Sequence, residues 1–255
     1  MPELPEVETI RRYLNRTVLE QTITGISGSA PTIDQEHLPL LAGSVIRTTA
    51  RHGKYLFVDL DPGSSLVFHF GMTGDLLLVA GDDPDPPYTR AVVSFADGSR
   101  LAFTDSRRFG RLGWVPDREA FVGERRLGPD ALTVSRERFR SLVEGSHQRV
   151  KMFLLDQHRI AGIGNIYADE VLFQAGIRPL SSLHDIDSPR LSLLAAAIPH
   201  VLRTAVDLAA DFDYYPDTWI IPRRSPDERC PCCGDPVSRV MVAGRYAYFC
   251  PFCQE

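Results

Sequence analysis

The chain has 255 residues, 44% of them hydrophobic and 24% charged, so it is long enough for one large core or for two smaller ones. It has no apolar run of about 18 residues and its first segment is polar and acidic, so the sequence predicts no membrane span and no secretory signal and indicates a cytoplasmic protein. The formal net charge of −5 argues against a nucleic-acid partner, although a net charge does not describe local patches.

The chain begins with Met1-Pro2-Glu3-Leu4-Pro5-Glu6. If Met1 is removed, Pro2 has a free secondary amine that is partly unprotonated at neutral pH, and Glu3 is a carboxylate beside it. An amine and an adjacent acid are sufficient for Schiff-base chemistry with proton transfer. The alternative is an ordinary helix start over about 3–16, because an early proline and early acids suit the first turn of a helix.

A series of short β-rich runs follows the opening helix and predicts a sandwich or a barrel. Turn signals separate the runs, among them Asp61-Pro62-Gly63 and Asp97-Gly98. The predicted strands lie near 22–26, 44–49, 54–60, 65–70, 75–79, 90–96, 100–104 and 111–115.

The periodicity becomes helical after Gly128-Pro129. Helices are predicted at 135–144, 147–158, 165–175 and 189–210, and 211–229 is predicted to be an irregular connector. We expect an α+β protein with three parts: a sandwich domain at 1–127, a helical domain at 128–225 and a C-terminal hairpin at 226–255. The last part is too short for a core of its own, so it needs a cross-link or a metal.

The cysteines supply that metal site. All five lie in the last 26 residues, and Cys230-x2-Cys233 and Cys250-x2-Cys253 are separated by sixteen residues. Two C-x2-C pairs at this spacing are typical of a closed tetrahedral zinc site, whereas free thiols would not show the pattern. The remaining Cys232 is predicted to be unliganded.

Three further motifs have both a functional and a structural interpretation. Gly162-Ile163-Gly164-Asn165 starts a helix and is either an anion site or a plain helix–helix turn. His69-Phe70-Gly71-Met72-Thr73-Gly74 and Asp105-Ser106-Arg107-Arg108-Phe109-Gly110 place large side chains beside glycine. Met72 and Phe109 are either wedges for a base stack or core residues, and His69 taken alone is more often structural than a ligand.

Taken together, these motifs closely resemble the formamidopyrimidine-DNA glycosylase family, whose members are bifunctional base-excision repair enzymes related to endonuclease VIII. The resemblance spans nearly the whole chain in the family's order. The matching segments are 2–8, 51–55, 69–74, 105–110, 127–129, 162–170 and the four cysteines, with Arg245 five residues before Cys250.

The resemblance implies a β-sandwich with an opening helix, a helix-two-turn-helix domain and a zinc hairpin. It implies that Pro2 attacks C1′ of the damaged nucleotide, that Glu3 transfers protons, and that Lys54 and Arg245 assist the two eliminations. The matches of Met72, Arg107 and Phe109 fill the gap left by the flipped base. His69, Lys151 and Asn165 would hold backbone phosphates, and Tyr88 stands where many members have a DNA-contacting histidine. The implied partner is damaged double-stranded DNA and the implied cofactor is one structural Zn²⁺, with no organic cofactor. A monomer associated with the nucleoid of a bacterium is expected.

The sequence also departs from the family pattern. Residues 204–230 are too few for the usual lesion-capping loop, and the stretch 211–219 differs from the family's aromatic–tyrosine–glycine stretch. The Met72, Arg107 and Phe109 set favours oxidised or ring-opened purines as substrates. The alternatives are an oxidised-pyrimidine glycosylase of the endonuclease VIII type and a non-catalytic damaged-DNA binder.

Overall fold

The structure is a computed structural model that describes residues 2–29 and 31–255. Met1, on whose removal the free amine of Pro2 depends, lies outside the described residues. The chain divides into two compact units. The first comprises Glu6–Arg126 together with Pro2, and the second comprises Leu127–Glu255 together with Glu3–Pro5.

The first unit contains most of helix α1 (Leu4–Thr17), eight strands and helix α2 (Arg118–Glu124). The strands are β1 (Ile23–Gly28), β2 (Val45–His52), β3 (Tyr55–Asp61), β4 (Ser64–His69), β5 (Gly74–Val79), β6 (Thr89–Phe95), β7 (Arg100–Asp105) and β8 (Arg111–Val115). All eight predicted strands are present, because each has the alternating or β-rich pattern of a half-buried strand.

The strands form two antiparallel four-stranded sheets, with orders β1-β6-β7-β5 and β2-β3-β4-β8. Alternate residues of both sheets bury their side chains in one core, which also receives Val7 and Leu14 from α1. Examples are Phe103 from the first sheet and Phe68 from the second, whose rings meet edge to face at 5.8 Å. This arrangement is the predicted sandwich.

The second sheet also has a covered outer face. Phe57, Val67 and Val115 are buried there against Phe121 and Val122 of α2. Helix α2 has no counterpart among the predicted elements, because seven residues with two adjacent apolar side chains give no helical period. Its N-cap is Asp117, whose carboxylate accepts a hydrogen bond from the Ala120 amide at 2.6 Å.

The second unit contains helices α3 (Arg136–Val143), α4 (Val150–Leu155), α5 (Asn165–Gln174) and α6 (Ser188–Asp207). Their apolar faces form one core around Tyr167 and Phe153. Helix α5 is nearly buried all round, which is typical of the central helix of a domain. Helix α6 ends earlier than predicted, because Ala209 and Ala210 both adopt φ of +55°.

The chain ends in the predicted hairpin of β9 (Ser238–Val242) and β10 (Arg245–Phe249). In the described part of the chain, no helix is long and apolar enough to cross a membrane.

Candidate functional site

The Glu3 carboxylate is held at the N-terminus of α5. Its Oε2 accepts hydrogen bonds from the amides of Gly164 at 2.7 Å and Tyr167 at 3.3 Å, and its Oε1 accepts one from the Ile166 amide at 2.9 Å. The side chain is 1% exposed. The Gly162–Asn165 turn is thus an anion site, which is one of the two interpretations of its sequence. The anion that it binds is a carboxylate of the chain itself.

Two glycines make this arrangement possible. A Cβ on Gly164 would lie 2.3 Å from the Glu3 Cδ, and a Cβ on Gly162 would lie 2.5 Å from a Leu4 methyl carbon. The Leu4 amide also donates to the Gly162 carbonyl at 3.1 Å. The glycines therefore let the start of the chain lie directly against the start of α5.

Helix α1, which follows Pro2 and Glu3, is fixed to strand β2 by ion pairs. Glu8, which is 7% exposed, accepts from Arg11 at 2.7 Å and from Arg51 of β2 at 3.2 Å. Burial alone would raise the pKa of Glu8, but the hydrogen bonds and charges of the two arginines outweigh it and hold that pKa below its ordinary value. Lys54 follows Gly53 in the two-residue turn between β2 and β3.

The two glycine-containing loops of the sandwich meet. The buried Asp105 carboxylate accepts from the Thr73 hydroxyl of one loop and from the Arg107 and Gly110 amides of the other, the last at 2.6 Å. A Cβ on Gly71 would lie 2.6 Å from the Phe109 carbonyl carbon, so the loops also pack closely. Asp105 is thus the residue that joins them.

Three large side chains project from this pair of loops. Met72 is 38% exposed, Phe109 is 53% exposed, and the Arg107 guanidinium lies 5.3 Å from the centre of the Phe109 ring. These exposures exclude the core interpretation of Met72 and Phe109. Tyr88 is also exposed, and its carbonyl accepts from the Asp105 amide at 3.0 Å, which places it beside the same loops.

His69 lies at the end of β4, where its ring contacts Tyr55 at a centroid distance of 4.9 Å. Burial, together with the positive charges of Lys54, Arg125 and Arg111, lowers the pKa of His69 to about 4. The ring is therefore neutral at physiological pH. Its Nδ1 is 3.3 Å from the Gly71 amide and accepts that hydrogen bond, which leaves Nε2 as the protonated donor nitrogen.

Lys151 does not present its charge at the surface. Its side chain is 0% exposed and its Nζ contacts the equally buried Asp169 carboxylate at 2.5 Å. Asp169 also accepts from Arg224 at 3.0 Å and from the Tyr248 amide at 3.2 Å. This placement argues against the predicted phosphate contact of Lys151, because an ammonium group without exposed surface is not presented to a ligand. Asp169 lies in the matching segment 162–170, but no role was predicted for it or for Arg224 from the sequence.

The hairpin is attached to the same helix. The Asn165 side-chain amide donates to the Tyr246 carbonyl at 3.1 Å, and the Asp169–Tyr248 bond lies one turn further along. Arg245 is the first residue of β10 and is exposed. Helix α5 thus holds both the Glu3 carboxylate and the strand that carries Arg245.

The four predicted ligand cysteines converge. Their sulfur atoms lie within 4.8 Å of one another, with Cys230–Cys253 at 3.7 Å and Cys233–Cys250 at 3.5 Å. Tetrahedral ligands at a Zn–S distance of about 2.3 Å are about 3.8 Å apart, so the group fits that ion. Amide donation to Cys230 and Cys250, both at 3.4 Å, suits thiolates. Cys232 is exposed and does not belong to the group.

Glu170, which follows Asp169 on α5, has a fully buried carboxylate. Its oxygens accept from the Gln174 amide at 2.7 Å and from the backbone amide of Ile221 at 2.9 Å, so it fixes the connector to the hairpin. Burial raises the pKa of Glu170 to about 7, against the lowering effect of these hydrogen bonds. Glu170 ends the segment 162–170 that matches the family, but no role was predicted for it from the sequence.

This pKa predicts a pH-dependent stability. Between an ordinary pKa of 4.5 and the folded value of about 7, the folded protein keeps a proton that the unfolded chain releases. The contribution of Glu170 to the free energy of unfolding therefore falls as pH rises through this window, by on the order of 3 kcal/mol, and is level above it. The lowered pKa of His69 adds an opposite slope between about pH 4 and 6.5 that the wild type and a Glu170 variant share, so we expect Glu170→Gln to differ from the wild type by the Glu170 contribution in urea unfolding curves from pH 4.5 to 8.5. Glu144→Gln, which removes an exposed carboxylate, should keep the wild-type slope, and an unchanged slope in Glu170→Gln would contradict the assignment.

The solved structures that share this fold define the class of the protein. The fold matches structures of damage-specific DNA glycosylases bound to DNA. One is a structure of MutM in complex with DNA containing carbocyclic 8-oxo-G, with a TM-score of 0.90, 30% identity and full coverage of both chains. Another is the Lactococcus lactis Fpg with DNA containing an abasic site, with a TM-score of 0.89, 29% identity and 99% coverage of both.

Sequence comparison defines the family. The models of the formamidopyrimidine-DNA glycosylase N-terminal domain and H2TH domain match residues 1–112 and 127–212. Formamidopyrimidine-DNA glycosylases of Pelotomaculum thermopropionicum and Nostoc punctiforme are 34% and 36% identical, over the whole of this chain and 99% and 96% of their own. The chain belongs to the formamidopyrimidine-DNA glycosylase family. Its alignment with the Pelotomaculum protein runs over 276 positions, more than the 255 residues of this chain.

Proposed function

We propose that this protein is a bifunctional DNA glycosylase and abasic-site lyase of base-excision repair that removes oxidised or ring-opened purines from duplex DNA. The observation that carries the proposal is the carboxylate of Glu3, held by three amides at the start of α5 and adjacent in sequence to Pro2. A fixed carboxylate beside a chain-terminal amine suits proton transfer to and from a Schiff base.

In the proposed reaction, the Pro2 nitrogen attacks C1′ of the damaged nucleotide and the glycosidic bond breaks, with the electron pair leaving on the base. Glu3 donates a proton as the sugar ring opens, and an imine then joins Pro2 to C1′. Elimination breaks the C3′–O bond and then the C5′–O bond, so that both phosphates leave. Lys54 assists the first elimination and Arg245 the second. Hydrolysis of the imine returns the free amine.

The damaged base must leave the stack before its C1′ can be attacked. Met72, Arg107 and Phe109 are suited to filling the resulting gap, because they project together from loops joined by Asp105. Arg107 would face the unpaired partner base. His69 and Asn165 would contact phosphates, with Tyr88 beside the gap.

We also propose that the four cysteines hold one structural Zn²⁺, since their spacing and convergence suit this ion. Bound zinc would fix the β9–β10 hairpin, which has little core of its own. Metal analysis should find about one zinc per chain, and chelation should weaken DNA binding. Absence of stoichiometric zinc would contradict this proposal.

A panel of lesion duplexes tests the substrate class. We expect excision of 8-oxoguanine and formamidopyrimidine lesions to exceed excision of thymine glycol and dihydrouracil by about tenfold or more. Excision of the pyrimidine lesions alone would favour the endonuclease VIII type. The short 204–230 segment makes this comparison informative, because that region caps the lesion in the family. Failure of borohydride to trap a covalent complex with an abasic duplex would leave only the non-catalytic binder. We propose that the protein acts as a monomer at the nucleoid.

A further inference from the structure

A cavity of about 390 Å³ opens on the outer face of the second sheet, in the first unit. Three of its lining residues form a row across adjacent strands, since Tyr55 of β3 pairs with His69 of β4, and His69 pairs with Arg111 of β8. Directly opposite residues have side chains on the same face of a sheet. Space is left beneath the row because Gly113, which has no side chain, stands opposite Val67.

Arg125, which follows α2, completes the cavity. Its guanidinium lies 4.6 Å from the centre of the Phe121 ring and 5.6 Å from that of Tyr55. These contacts hold the group in place without neutralising its charge. Within the described residues, no acid forms an ion pair with Arg125 or Arg111, and Arg111 donates only to backbone carbonyls.

Among the described residues that line the cavity, Asp34 has the only carboxylate, and it is already engaged. Asp34 accepts from the amides of Glu36 and His37 and contacts the His37 ring nitrogen at 3.0 Å. Burial, and after it the positive charges of Lys54, Arg125 and Arg111, lower the pKa of the His69 ring, so the ring lines the cavity in its neutral form. The cavity therefore combines two cations, a neutral imidazole donor and an aromatic wall.

We propose that this cavity binds a backbone phosphate of a nucleic-acid strand, with Arg111 and Arg125 as its charged ligands. The inference rests on the proposed function, which supplies the strand. His69 already has a proposed phosphate contact, and neither arginine belongs to the motifs that define the resemblance, so Arg111 and Arg125 would add the charged ligands of that contact. The Arg125 guanidinium, fixed on two aromatic rings, suits phosphate because little side-chain freedom is lost on binding, and Arg111 is held by its hydrogen bonds to the Arg108 and Gly110 carbonyls.

The test replaces each backbone phosphate of an abasic-analogue duplex in turn by a neutral methylphosphonate. We expect one replacement outside the lesion to weaken binding of the wild-type protein about tenfold and to have no effect on the Arg111→Gln/Arg125→Gln protein. That variant should also bind the unmodified duplex about tenfold more weakly. Its slope of log affinity against log salt concentration should be smaller by about 0.9, the value for one phosphate. Arg16→Gln removes an exposed arginine of the same unit and should keep the wild-type profile.

Arg111→Lys/Arg125→Lys keeps both charges and should keep most of the salt slope, which separates charge from misfolding. A double glutamine variant that retains the wild-type methylphosphonate profile and slope would overturn the inference, while wild-type binding of damaged DNA would leave the proposed function intact. If the wild-type protein binds no damaged duplex, the proposed function fails instead. Shifts of the His69 ring signals with a mononucleotide, without any methylphosphonate effect, would indicate a free phosphate ligand and would also overturn the inference.

Discussion

Blocking the Pro2 amine should abolish covalent trapping on an abasic duplex and lower lesion excision by about 1,000-fold or more. A cleavable extension that ends directly before Pro2 converts its nitrogen into an amide, which has no lone pair available for attack on C1′. Protease removal of the extension should restore the activity, because no residue of the chain itself is changed. The measurement is borohydride trapping and single-turnover excision before and after cleavage.

A second variant distinguishes the role of the chain-terminal amine from the role of the proline ring. Pro2→Gly keeps a chain-terminal amine but changes its basicity and its geometry, so we expect strongly reduced trapping. Trapping that survives both the extension and the glycine variant would show that another amine of the chain, Lys54 for example, forms the imine. DNA affinity measured with an uncleavable abasic analogue serves as the control for folding.

Gly164→Ala should lower excision by about 100-fold or more, the usual contribution of a general acid or base. The backbone of Gly164 is compatible with any residue, since its φ is −123°, so the added methyl group acts only through its clash with Glu3. Displacing the carboxylate also leaves buried amides unpaired, at a cost of about 2 kcal/mol in the free energy of unfolding. Single-turnover kinetics and urea unfolding measure the two effects.

The matched control is Gly123→Ala, since a Cβ there meets nothing within 4 Å. It should leave activity unchanged and should not lower stability, since alanine is more favourable than glycine in a helix by up to about 1 kcal/mol. A double-mutant cycle with Glu3→Gln gives the sharper test, because Gly164→Ala should add little to a protein that has already lost the carboxylate. Full additivity of the two substitutions would show that Gly164 acts independently of Glu3.

The α+β fold and the family were predictable from the sequence, and both predictions are confirmed. The strands follow from local alternation, and the four cysteines follow from their spacing. Each of these two signals is contained in a short stretch of the sequence, so it can be recognised without knowledge of the tertiary structure. Helix α2 was missed because seven residues with adjacent apolar side chains show no helical period.

The long-range contacts of the site could not be predicted from the sequence. The Gly162–Asn165 turn indicates exposed amides, but nothing in the sequence says that Glu3 occupies them. Lys151 resembles a phosphate ligand by its position, yet its ammonium group is paired with the carboxylate of Asp169, eighteen residues away along the chain. The assigned roles of the site residues in catalysis and DNA contact remain predictions for the experiments above.

The contact between Glu3 and α5 also has a consequence for biosynthesis. Glu3 leaves the ribosome well before the amides that hold its carboxylate, which are synthesised 161 to 164 residues later. Domains generally fold as units during translation, with the N-terminal one first. The sheets can therefore form while Glu3 still lacks its partners, and the carboxylate beside Pro2 is fixed only after α5 has emerged. A nascent chain in this way lacks the fixed carboxylate that we propose for proton transfer until α5 has been made.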